Sequence, residues 1–364
     1  MKIIGPIAGI GSRLRPFTFS KPKAFLTVAG KTVLDHILIK FSKTFESDTE
    51  LILIVGYKKQ QIIEYIKTHY SNKFKLTFIE QVPRGYKEGI PYYWGLGEAV
   101  FLANTRFEES KLMSLEEDKR AGSLIFLGDM IPIDEYSYLL YKYWESDVDG
   151  IITVMKVPKE DASSYGVVVV DENNLIKQLI EKPKDFISDL AIAGLYSFSN
   201  SATRALFKNI KRYLDQRTKD SKEVYLTESM QNLVDQGYKI AAVELKQGIL
   251  DFGRPSELLK GNRYLLQQNS IRPEEHKLNI AVERSYIKNP VYIGKNTKVI
   301  NSIIGPYVSI GNDSLIQNCI LENCVIEENA HLTNLISSNS IIGNHVHVEN
   351  ISKDNLIIGD KSTY

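Results

Sequence analysis

Cysteine is almost missing from this chain of 364 residues; only Cys319 and Cys324 occur. Two cysteines set no disulfide framework, so a reducing cytosol is the expected setting and both read as small apolar fillers. Net charge is scarce too, because 45 Lys and Arg stand against 44 Asp and Glu. A protein that binds nucleic acid by general attraction shows a basic face, so no nucleic-acid partner is expected. A local cationic cluster would hardly move that total. Apolar runs long enough to span a bilayer are lacking, and the opening "MKIIGPIAG" is too short for a secretory leader. The expectation is a cytoplasmic protein without a membrane partner.

What is present falls into two textures. Up to about residue 255, strand-like runs alternate with helical patterns. "MKIIGPIA", "ELILIVGY", "KLTFIEQV" and "SLIFLGD" read as strands, while "TVLDHILIKFSKTF" and "KQQIIEYIKTHY" carry an amphipathic helical period. Strands apolar on both faces, alternating with helices, predict an α/β fold: a Rossmann-like, mostly parallel sheet with helices on both faces. Ligands of such sheets bind at the carboxyl ends of the strands. From about residue 278 no helical period remains. Ile287, Ile293 and Val299 fall six apart, as do Ile304, Ile310 and Ile316, and "IG" recurs before turn residues. A six-residue apolar repeat predicts a β-helix of three short strands per coil, with a β-sandwich as the plainer alternative. The register slips by one between Val299 and Ile304, so the coils are expected to be imperfect. The segment 255–269 reads as a helix. The expected organisation is an α/β domain over 1–254, a helical linker over 255–277, and a left-handed β-helix of hexapeptide repeats over 278–364.

The stretch "IIGPIAGIGSRLRPFTFSKPKAF" breaks a strand into glycine and fixed positive charge, a pattern suited to phosphate. The P-loop G-x-x-x-x-G-K-[ST] fails, since no Gly-Lys-Ser/Thr follows Gly9. The dinucleotide pattern G-x-G-x-x-G has Leu14 at its third glycine, and Pro16 and Pro22 do not continue a helix. A cationic surface loop without a ligand is the plain alternative. As "AGIGSRLRPFTFSKPKAF", however, the stretch resembles the signature of the sugar-1-phosphate nucleotidylyltransferases, the sugar-nucleotide pyrophosphorylases, with Ser12 for the usual threonine. Further short matches follow in the same order: Gln81, "GLGEAVFLA", "FLGD", "YGVVVVDENNLIKQLIEKP", "AGLYSF" and "DFGRP". The tail is similar to that of the long-form glucose-1-phosphate thymidylyltransferases. The pattern is interrupted by an extra loop, 82–94, between Gln81 and the Gly-Leu turn.

The resemblance implies the reaction of an NTP with a sugar 1-phosphate to give an NDP-sugar and pyrophosphate, dTTP or UTP and glucose 1-phosphate being favoured. It implies nucleotide contacts from Ala8, Gly9, Gly11, Ser12, Arg13, Lys23, Gln81, Gly95, Leu96, Gly97 and Asp129. Of these, Arg13, Lys23 and Asp129 carry the catalysis. The sugar phosphate falls to Tyr165, Gly166, Glu181, Lys182 and Gly194, and Mg2+ to Asp129 and Asp251. The residue types suit that chemistry: glycines admit backbone N–H groups to a triphosphate, and Arg is a permanent forked cation. Magnesium takes oxygen ligands and keeps waters, so two carboxylates suffice. Singly, each residue has a plainer role, with Asp129 or Asp251 as a helix cap and Glu181–Lys182 as a solvated pair. Two other functions compete. Hexapeptide β-helices often carry acetyltransferases with a histidine base, for which His331, His345 and His347 are candidates. A non-catalytic nucleotide-sugar sensor is the other, although such a protein is expected to lose Arg13, Lys23 or Asp129. Assembly as a homo-oligomer through the β-helix is expected of the tail.

Overall fold

The computed structural model describes residues 1–107, 114–217, 223–269 and 281–364. The expected end of the linker and the start of the tail at 278 lie outside the described residues. The chain forms two compact units, one of Met1–Gly9 with Ile37–Ile249, the other of Ile10–His36 with Leu250–Tyr364. Among the described residues no helix is long and apolar enough to cross a membrane.

The first unit is built on a nine-stranded sheet. Its strands are β1 (Lys2–Pro6), β2 (Glu50–Val55), β3 (Lys75–Glu80), β4 (Ser123–Phe126), β5 (Gly150–Lys156), β6 (Gly166–Val170), β7 (Ile176–Glu181), β8 (Leu190–Phe198) and β9 (Ile240–Glu244). The order is β7-β6-β8-β4-β1-β2-β3, with β5 pairing both β8 and β9. Strands β4, β1, β2 and β3 run parallel. Strand β8 runs antiparallel to β4 and to β5, and β6–β7 is an antiparallel hairpin. Every residue of β2 is buried, which accounts for its unbroken apolar run, since a parallel strand is covered on both faces. Ile4, Ile52, Ile54, Ile125 and Val100 meet residues of the helices Asn200–Asp215 and Leu226–Asp235 in one core. Each such side chain contributes about 1.5–3 kcal/mol on burial.

In the second unit the tail winds as a left-handed β-helix. Val299, Ile304, Ile310, Ile316, Leu321, Ile326, Leu332, Ile342 and Val348 fill its interior. Residues stacked in adjacent coils lie 17 apart at first, as Asn301 and Asn318, and later 16 apart, as Asn318 and Asn334. An 18-residue coil of three full hexapeptides has therefore lost one residue, then two, which is the slip visible in the sequence. The corners need a left-handed backbone, and asparagine accepts it most readily among non-glycine residues. Asn301, Asn318, Asn334 and Asn350 all have φ between 49° and 58°. Their side chains form a ladder, each amide donating to the next at 2.6–3.0 Å. Cys319 and Cys324 are buried free thiols in this core, as fillers should be.

One face of the β-helix is covered by chain from far away in sequence. The helix Pro255–Asn269 places the fully buried Asn262 there, whose Oδ1 accepts from Ser309 Oγ at 2.6 Å and from the Ala29 N–H at 2.9 Å. Its Nδ2 donates to the Tyr307 carbonyl at 3.2 Å. The hairpin Thr27–Val28/Lys31–Thr32 turns through Ala29 and Gly30, and a Cβ on Gly30 would stand 2.2 Å from the Tyr292 ring. Only glycine allows that approach.

Candidate functional site

Because β1, β2, β3 and β4 run parallel, their carboxyl ends share one edge of the sheet. The Ile7 N–H donates to Ile54, the Tyr57 N–H to Ala8 and the Gln81 N–H to Val55. Ala8 and Gly9 leave β1 there, Gln81 ends β3, and Asp129 follows β4. A Cβ on Gly128 would stand 2.5 Å from Ile7, so glycine lets the Asp129 turn lie against the end of β1. Gly194 on β8 packs on the same turn with φ 76° and would carry a Cβ 2.6 Å from Met130 Sδ. Asp129 itself is half-buried.

The Gly95–Gly97 turn lies against residues 223–224. The Gly97 N–H donates to Val224 at 2.9 Å, and Cβ atoms on Gly95 or Gly97 would meet Val224 O at 3.1 and 2.8 Å. Leu96 opens the short helix Leu96–Phe101, whose Glu98 turns inward and is 2% exposed. Glu98 is the group that orients Gln81. Gln81 Nε2 donates to Glu98 Oε2 at 2.8 Å and to the Gly95 carbonyl at 3.4 Å. Both amide hydrogens thus have acceptors within the protein, which fixes which way the Gln81 amide is turned. The Trp94 N–H and Arg84 Nε also donate to Glu98, at 3.0 and 2.6 Å. Arg84 and Arg217 each lie over the Trp94 ring, at 4.2 and 4.9 Å from its centroid. The extra loop is therefore a structured hairpin, Gly85–Lys87 with Ile90–Tyr92, tied at its base to the carboxylate that holds Gln81.

At the far end of the β6–β7 hairpin, Gly166 is registered with Glu181. The Lys182 N–H donates to Tyr165 O at 3.1 Å, and Lys182 Nζ stands 3.5 Å from Glu181 Oε1. Thr227 Oγ1 donates to Glu181 Oε2 at 2.7 Å. Lys182 is exposed and has φ 44°, a left-handed conformation that a residue other than glycine adopts only at some cost. Tyr165, Gly166, Glu181 and Lys182 thus form one cluster, and Gly194 sits at the Asp129 turn.

The remaining expected residues belong to the second unit. Gly11 has φ 69°, and a Cβ there would stand 2.8 Å from Lys23 Cβ, so glycine brings the Ser12–Arg13 turn against Lys23. Thr18 Oγ1 donates to Gly11 O at 2.9 Å and closes the loop. Ser12 and Arg13 are exposed, and Lys23 is half-buried at the start of a single 3-10 turn. Asp251 is half-buried and accepts from the Gly253 N–H at 2.8 Å. Asp129 in the first unit and Asp251 in the second each carry carboxylate oxygens, the hard donors that magnesium takes.

With this geometry in view, the family model described as "Nucleotidyl transferase" matches residues 7–268. The chain belongs to the nucleotidyl transferase family. It is 31% identical over 261 residues to a bifunctional protein GlmU of Methanocaldococcus jannaschii, covering 72% of this chain and 53% of that one. It is 25% identical over 349 residues to a glucose-1-phosphate thymidylyltransferase of Streptomyces antibioticus, covering 92% and 89%. Among solved structures it resembles a UDP-glucose pyrophosphorylase from Acinetobacter baumanii. The TM-score there is 0.56 with 20% identity, covering 75% of this chain and 94% of that one. The chain spans about half the length of the curated relatives it matches first.

The sequence reading missed Glu98. It sits inside "GLGEAV", where a carboxylate reads as the solvated face of a helix, and only its full burial marks it out. The three tail histidines stand apart from this edge in sequence. His331 and His347 are stacked in adjacent coils with ring centroids 6.1 Å apart, His347 Nε2 is 2.9 Å from Glu349 Oε1, and His345 is a left-handed corner residue.

Proposed function

We propose that the chain is a sugar-1-phosphate nucleotidylyltransferase that makes an NDP-sugar and pyrophosphate, with dTTP or UTP and glucose 1-phosphate as the favoured pair. A phosphate oxygen of the sugar 1-phosphate attacks the α-phosphorus. The bond from that phosphorus to the bridging oxygen breaks, and pyrophosphate leaves with the electron pair. No protein nucleophile is needed, so the residues position the reactants and balance charge. Arg13 and Lys23 neutralise the α-phosphate and the leaving group, with Gly9, Gly11 and Ser12 offering backbone N–H groups. Lys182 receives the sugar phosphate, and Glu181 accepts from sugar hydroxyls. Asp129 and Asp251 would hold Mg2+, which supplies further charge neutralisation when bound.

The observation that carries the choice of base is the fixed orientation of Gln81. Its carbonyl oxygen would accept the N–H that thymine and uracil offer at N3, where cytosine has a bare acceptor nitrogen. The Streptomyces antibioticus relative, matched over most of both chains and described as a glucose-1-phosphate thymidylyltransferase, supports thymidine and glucose. The test is pyrophosphate release from five NTPs against glucose-, galactose-, mannose- and amino-sugar 1-phosphates. Release strongest with dTTP or UTP is expected, and silence in every pairing with magnesium would end the proposal. The exposed His347–Glu349 pair favours one second reading, an added acetyl transfer. Thiol release from acetyl-CoA with amino-sugar phosphates, assayed in parallel, decides it. The tail also supports homo-oligomer assembly, since Tyr286, Ile303, Ile320 and Ile336 stack as an exposed apolar column.

A further inference from the structure

In the β-helix, one corner position is glycine in coil after coil: Gly294, Gly311, Gly343 and Gly359 are carried into one column by the parallel registers around them. The reason is steric. A Cβ on Gly294 or Gly311 would stand 2.5 Å from a backbone nitrogen of the next coil, and one on Gly343 would stand 2.8 Å from the Asp360 nitrogen. In the coil between Gly311 and Gly343, the column holds Glu327 instead. This carboxylate is 2% exposed, and nothing in the β-helix calls for it.

Its partners lie in the signature loop. Lys21 Nζ donates to Glu327 Oε2, and the Thr27 N–H donates to Glu327 Oε1 at 3.3 Å. One buried carboxylate therefore grips the loop on both sides of Lys23. The next glycine but one, Gly359, precedes Asp360, whose Oδ1 stands 3.1 Å from Lys21 Nζ and whose Oδ2 accepts from Ser20 Oγ at 2.6 Å. Asp360 Oδ1 also accepts from the Asn344 N–H at 2.9 Å, which fixes it to the neighbouring coil. A Cβ on Gly359 would stand 2.9 Å from Pro16, so the loop packs against the column itself. Lys21 is 8% exposed between the two carboxylates. Burial raises the Glu327 carboxyl above its ordinary range while the Lys21 ammonium pulls the other way.

Charges taken out of water in this way cost several kcal/mol each before pairing, and such a pair is weak evidence for stability as such. The geometry does supply a fixed distance between two coils and the two flanks of Lys23. We propose that Glu327 and Asp360 hold Lys21 as a positioning residue, so that the β-helix sets the geometry of the loop bearing Arg13 and Lys23. The tail is then a working part of the nucleotide site. That consequence rests on the nucleotidyl-transfer reading, whereas the grip on the loop does not.

The experiment compares the full chain with its Glu327→Gln variant by hydrogen exchange and by steady-state kinetics. Faster amide exchange over residues 10–27, with protection of the other coils retained, is expected. A fall in kcat/KM for the nucleotide of about 10- to 100-fold should accompany it, as for a misplacement of catalytic groups by a fraction of an ångström to an ångström. Adding Lys21→Met to Glu327→Gln should cost little more, because groups acting as a unit are not additive. Asp360→Asn, whose one amide oxygen keeps the acceptor for the Asn344 N–H while the charge facing Lys21 and the acceptor for Ser20 Oγ are lost, gives the same pattern in milder form and serves if Glu327→Gln fails to fold. Unchanged exchange over 10–27 overturns the grip whatever the chain catalyses. Faster exchange with unchanged kcat/KM overturns the positioning role. A wild type without turnover ends the nucleotidyl-transfer reading alone, and exchange still decides the grip.

Discussion

In the proposed reaction two anions must meet at one phosphorus, and at the scale of single residues each side chain proposed for the site would answer part of that problem. Replacing Asp129 by Asn keeps the shape and removes the charge. Turnover should fall by about 10²- to 10³-fold, the usual loss for one electrostatic group at a reacting centre, with the circular dichroism spectrum unchanged. Near-normal turnover would remove Asp129 as a metal ligand. Glu98 makes a sharper case. Without its carboxylate the Gln81 amide is free to turn and offer an N–H, so Glu98→Gln should raise CTP use relative to UTP by about tenfold, the worth of one hydrogen bond. An unchanged ratio of the two kcat/KM values would contradict the assignment. Arg13, Lys23 and Asp129 could be proposed from the sequence because they sit in short motifs in a fixed order. Glu98 and Glu327 could not, since a glutamate beside apolar residues looks alike whether it faces water or is sealed in, and only packing tells them apart.

At the scale of elements, the six-residue apolar repeat and the slip at Val299–Ile304 already described the β-helix, and the coil spacings of 17 and 16 give the slip its cause. The glycine column left a trace as a recurring "IG", but that Glu327 replaces glycine in it shows only once the strand registers are known. The parallel half of the sheet could be read from the buried runs of β2 and β4. The antiparallel placement of β8 could not, because strand order is set by pairings far apart in sequence. The core of the β-helix also titrates. Burial pushes the Cys324 thiol up to about 12. In the unfolded chain it ionises near about 8.5, so the unfolded state sheds its proton first as the pH rises. The contribution of Cys324 to stability is complete below about 8.5 and declines toward about 12. Chemical denaturation of Cys324→Ala should show a weaker loss of stability over that alkaline window than wild type. An equal loss would contradict the burial argument.

At the scale of the whole molecule, continuity in sequence and membership in the fold diverge. Residues 10–36 follow the first strand of the sheet, yet their hydrogen bonds to Asn262, Glu327 and Asp360 tie them to the tail. These bonds join positions separated by 233 to 340 residues, a range no local pattern reports. Exposed apolar surface is the other property of this scale. Ile303, Ile320 and Ile336 are 47%, 45% and 48% exposed on one face, a stripe that self-association would cover. Light scattering should find the wild type larger than one protomer and Ile320→Asp shifted toward it. A wild type with the mass of one protomer would contradict assembly through this face.

The most direct test of the account is pyrophosphate release by the intact chain with magnesium, glucose 1-phosphate and, in separate reactions, dTTP, UTP and CTP. Release with dTTP or UTP, little with CTP, and none when glucose 1-phosphate is left out is the predicted result. Equal release with all three nucleotides, or none with any, would contradict it.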